Sequence, residues 1–73
     1  MAQTVTRSPS ESPVSDQTYD LMQALTSKLE AIEAYEMYRD DCEGEVRQLF
    51  DDLLTEERQH AERLLDALRK EFR

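Results

Sequence analysis

One glycine, one cysteine and two prolines in 73 residues leave this chain few places to turn sharply and no way to cross-link itself. A lone cysteine, Cys42, excludes an internal disulfide. Residues 15–73 number 59, and a unit of that size buries too little to be stable without disulfides, a metal or a partner chain. With disulfides excluded, a metal or self-association has to make up the deficit. Basic charge is scarce too: nine Lys and Arg stand against seventeen Asp and Glu, for a formal net charge of -8. No basic run is long enough to track a phosphate backbone, so nucleic acid is not expected as a partner. Long apolar runs are also missing. None approaches the ~20 residues that span a bilayer, and the N-terminus lacks the apolar stretch of a secretory signal. The composition points to a cytoplasmic protein with no membrane partner, in a reducing compartment.

What is present divides into a tail and a helical region. Residues 1–14, MAQTVTRSPSESPV, hold both prolines and five of the Ser and Thr residues, with almost nothing apolar. This composition predicts a disordered tail, either a solvated leader or a docking peptide for a protein partner or an enclosing shell. Residues 15–73 form the second unit. Ser15 suits an N-cap, with Asp16 and Asp20 near the positive end of the helix dipole. Nothing from there to Cys42 breaks a helix, and Gly44 falls where a left-handed C-terminal cap is expected. Helix 1 is therefore placed at about 16–42 and helix 2 at about 45–72.

Helix 2 is the better patterned of the two, with Phe50, Leu54, Ala61, Leu65 and Leu68 on one apolar stripe. Helix 1 offers Leu21, Leu25, Leu29, Ile32 and Tyr35. A tight turn makes the helices antiparallel neighbours, and the hairpin is left with an apolar side uncovered. Pairing two hairpins into a four-helix bundle is the common way to cover it. The expected fold is all-α, an antiparallel two-helix hairpin that forms a homodimer or larger assembly.

Within EERQHAER, residues 56–63, the phase of the stripe passes close to Glu57, with His60 to one side, so both are expected to be buried. A carboxylate without a partner in apolar surroundings costs several kcal/mol or takes up a proton. A metal ion is one possible partner. Dinuclear carboxylate bundles hold their metals with a Glu from each of two helices and a Glu-x-x-His from each of the other two. Tyr35 and Tyr38 are read as aromatics that fill the bundle, and Cys42 as a small half-buried hydrophobe.

KLEAIEAYEMY followed by TEERQHAERLL resembles the ferritin-like superfamily over about residues 19–70, particularly its rubrerythrin-like and encapsulated-ferritin-like short forms. The resemblance implies two-helix subunits that pair to complete a di-iron site, with ferroxidase- or peroxidase-type redox chemistry. It makes Glu57 and His60 matching ligands and allows a location inside a protein compartment. Such families usually carry the helix 1 ligand seven residues before an inward Tyr. Here the residue seven before Tyr35 is Lys28, and the residue seven before Tyr38 is Ala31. Glu30 has the right height for a ligand and the wrong direction; Glu33 is a compromise. The metal reading therefore assigns Glu57, His60 and Glu33 or Glu30 to iron. The competing reading is a non-catalytic structural or adaptor bundle in which a Lys28–Glu57 ion pair replaces the metal.

Overall fold

The computed structural model describes residues 13–73, and the expected disordered tail lies, but for Pro13 and Val14, outside them. Two helices make up the fold, α1 (Asp16–Asp40) and α2 (Gly44–Glu71). They run antiparallel, because residues early in α1 meet residues late in α2. Thr18 reaches Glu71, Lys28 reaches Glu57 and Arg39 reaches Asp51.

Ser15 is the N-cap of α1, as expected, and its Oγ accepts the Thr18 N–H at 3.1 Å. The same hydroxyl donates to Thr18 Oγ1 at 3.0 Å, and Thr18 Oγ1 in turn donates to Glu71 Oε1 at 2.8 Å. Gln17 Nε2 donates to the other Glu71 oxygen at 2.7 Å. The N-cap of one helix is thereby tied to the last turn of the other. At the opposite end α1 stops at Asp40, two residues before its expected limit, with Asp41 as C-cap in a right-handed conformation. Gly44 does adopt a positive φ, 60°, but it opens α2 and does not close α1. Three residues, Asp41, Cys42 and Glu43, thus make the connection.

The seam between the helices follows alternating three- and four-residue steps. On α1 it runs Thr18, Leu21, Leu25, Lys28, Ile32, Tyr35, Arg39; on α2 it runs Phe50, Leu54, Glu57, Ala61, Leu64, Leu68, Glu71. That 3.5-residue average is the spacing of a coiled-coil seam. All of these side chains are buried or half-buried, and the buried apolar ones are Leu54, Ala61 and Leu68, seven residues apart. Near the loop, Phe50 packs on Tyr35 and Tyr38 with centroids 5.9 and 5.7 Å apart, so both tyrosines fill space as expected.

Large apolar side chains remain in solvent on both sides of the seam. Leu29, Val46 and Leu49 are each more than half exposed, as are Met37 and Phe72. Among the described residues only three apolar side chains are buried, a small core for two helices of this length. No helix among the described residues is long and apolar enough to cross a membrane.

Candidate metal centre

Glu57 and His60 lie one turn apart on α2, between the buried Leu54 and Ala61 layers in the case of Glu57. The centre of the buried arc, through Leu54, Ala61 and Leu68, is roughly 40° from Glu57 and roughly 100° from His60 at 3.6 residues per turn. The two side chains accordingly differ. Glu57 is only 15% exposed, whereas His60 is 49% exposed and faces the side of the hairpin. The expectation that both are buried is corrected for His60. Two helices cover an arc too narrow to enclose a side chain 60° beyond an inward neighbour.

Glu57 does not stand unpaired. Lys28 Nζ lies 2.9 Å from its Oε1, and His60 Nδ1 lies 3.2 Å from the same oxygen. In that contact the imidazole donates in its Nδ1–H tautomer or when protonated. The hydrogen bond from Lys28, followed by that from His60, holds the Glu57 carboxyl below the ordinary carboxylate value, against the opposing pull of burial. Lys28 reaches this oxygen because it occupies a seam position of α1, seven residues before Tyr35. A shallow groove lined by Ala24, Lys28, His60, Arg63 and Leu64 opens beside the pair.

The helix 1 carboxylates are not drawn into this cluster. Glu30 and Glu33 are both solvent-exposed positions of α1. Glu36 accepts from Arg58 Nη2 at 2.9 Å, across the seam on the side away from His60. Spacing four apart on α2 would match Arg58 with Glu62 and Asp66 with Lys70; the structure joins Arg58 to Glu36 and Asp66 to Arg69. Among the described residues, no three His, Cys, Asp or Glu side chains gather where they could hold one ion. Sequence reasoning also missed Glu71 as the acceptor that closes the open end. Its position on the three-and-four spacing, level with Thr18 in an antiparallel pair, was the available signal.

A family model for rubrerythrin matches residues 20–73, which covers both helices almost entirely. The chain belongs to the rubrerythrin family. Neither the curated proteins nor the solved structures provide a match to it. Rubrerythrins are ferritin-like helical proteins, and the family typically binds two iron ions. Against that role the donor set of this rubrerythrin-family hairpin is half complete. Glu57 and His60 are ordinary iron ligands, a carboxylate and an imidazole. The α1 side chain that meets them is an ammonium, which has three donors and no lone pair for a metal. In a complete site four carboxylates neutralise two divalent ions. Two copies of this hairpin bring two Glu57 carboxylates and two Lys28 ammoniums, which already cancel without metal. Within one hairpin, the residues that meet do not complete a di-iron centre.

Proposed function

We propose that this rubrerythrin-family chain is a self-pairing subunit of a ferritin-like four-helix bundle, non-catalytic, with structural or adaptor work as its role. Its inward charges are satisfied by ion pairs. The 2.9 Å contact of Lys28 with Glu57 carries the reading, because it gives the one inward carboxylate of the motif a partner from its own chain. The exposed Leu29, Val46 and Leu49 support pairing with a second copy, since the hairpin leaves them uncovered. Any contact with another protein or a shell is assigned to the Ser-, Thr- and Pro-rich residues 1–14, on their composition.

A second reading keeps the family's iron. It is favoured by the intact Glu57-x-x-His60 motif, with His60 beside an open groove that a second hairpin could cover. In it, Glu57 and His60 of two subunits, with Glu33 or Glu30, hold iron between the subunits once Lys28 has swung away. The two readings part under anaerobic titration of the purified protein with ferrous iron, alongside sedimentation equilibrium. The ion-paired reading expects a pair at micromolar concentration and far less than one bound ion per chain. A well-folded monomer overturns the pairing, and tight binding of one ion per chain establishes the iron reading in its place.

A further inference from the structure

We infer that Lys28 stands in for the metal, so that one side chain on α1 decides whether the paired hairpins can take up two divalent cations. The inference rests on the pairing proposed above and concerns the same inward site. Three observations lead to it. Lys28 is the α1 side chain that touches the inward carboxylate of the Glu-x-x-His pair, at 2.9 Å. It reaches that carboxylate from the coiled-coil seam itself, where Tyr35, seven residues on, points into the aromatic cluster with Phe50. The acidic residues of α1 at neighbouring heights, Glu30 and Glu33, are turned to solvent, while Glu36 is engaged by Arg58.

Charge and donor chemistry then act together. An ammonium at this position supplies the positive charge that a cation would otherwise bring, and it engages one of the two Glu57 oxygens, Oε1. A divalent ion approaching the site meets two fixed positive charges in the pair, from the two Lys28 side chains, close to both Glu57 carboxylates. A carboxylate at position 28 reverses both effects. It removes the two ammoniums and completes the four-carboxylate, two-imidazole set in which two divalent ions are held.

The test compares wild type, Lys28→Glu and Lys28→Met by anaerobic equilibrium dialysis against ferrous iron. Bound metal is measured by elemental analysis, and folding by circular dichroism with and without iron. The expected result is about two ions per pair for Lys28→Glu, and well below one per pair for wild type and Lys28→Met. Lys28→Met removes the ammonium without adding a ligand, so it separates relief of repulsion from completion of the donor set. Should Lys28→Glu be unfolded alone, folding on addition of ferrous iron supports the inference equally. A Lys28→Glu protein that binds no more iron than wild type, folded or not, overturns it and leaves the ion-paired bundle standing. Wild type that loads two ions per pair overturns both. A Lys28→Met protein that loads as well as Lys28→Glu overturns the claim that a carboxylate is needed there.

Discussion

The two helices of the hairpin share one spacing and use it differently. α2 provides every buried apolar side chain among the described residues, Leu54, Ala61 and Leu68, while the one buried position of α1 is a threonine. The apolar residues of α1 spread from Ala24 on one side to Leu29 on the other, so none is enclosed by a single neighbouring helix. α2 has a narrow seam; α1 has a broad apolar surface. One helix has the profile of half a coiled coil and the other of a member of a larger bundle. The contrast explains why the pair holds together and still leaves apolar surface exposed. It also places the polar residues. Lys28 on α1 and Glu57 on α2 interrupt the seam at its middle, and Thr18 with Glu71 at its open end. Polar residues at seam positions fix register at a cost in stability. A one-heptad slip would leave Glu57 and Glu71 facing apolar neighbours.

The contrast is broken most severely by emptying the narrow seam of α2. Leu54→Ala is expected to destabilise by about 2–5 kcal/mol, since Leu54 is 1% exposed. Leu29→Ala on the broad face of α1 is expected to change the monomeric hairpin little and to weaken pairing. Denaturant melts across a range of protein concentrations distinguish the two effects.

Next in size is the middle of the seam. Lys28→Met leaves Glu57 inward without its cation and is expected to cost about 1–2 kcal/mol. That is less than the 3 to 5 of a fully buried pair, because Lys28 is 35% exposed and solvent screens the contact. Replacing Lys28 and Glu57 together by Met is expected to recover most of the loss, and the double-mutant cycle measures the coupling directly.

The same contact predicts a pH dependence. Lys28 and His60 depress the Glu57 carboxyl when the protein is folded, so its contribution is complete above the ordinary carboxylate value. That contribution is lost as the pH falls from there through the depressed folded value. Comparing acid melts of wild type and Glu57→Gln isolates it, and equal pH slopes for the two proteins would refute the contact.

Effects of that size or smaller belong to the connection. Gly44→Ala is expected to cost about 1–2 kcal/mol from its positive φ alone, because an added Cβ there meets nothing within 4 Å. Glu43 caps α2 without a side-chain hydrogen bond, so Glu43→Ser is expected to add about 0.5–1 kcal/mol, read as a rise in melting temperature.

Much of this arrangement was legible in the sequence. The absence of any breaker between Ser15 and Cys42, the single glycine at the turn and the stripe of α2 gave two antiparallel helices. The cost of an unpaired inward carboxylate pointed to Glu57 and to Lys28 as its partner. His60 was misjudged because a moment centred on apolar residues takes no account of how narrow the arc covered by one neighbour is. The cross-helix partners of Arg58 and Glu71 escaped because pairs four apart on one helix can be read from spacing, whereas partners on the other helix depend on register. The three-and-four spacing sets that register, and Glu71, a polar member of it, was hidden by a search for apolar residues alone.

The central claim is that an ammonium fills the place of a metal between α1 and α2. Crystals grown with ferrous iron and measured at the iron absorption edge test it most directly. The account predicts Lys28 Nζ in hydrogen-bonding contact with Glu57 and no anomalous peak between the Glu57 side chains of paired subunits. Two anomalous peaks bridged by those carboxylates, with Lys28 turned out to solvent, would contradict it.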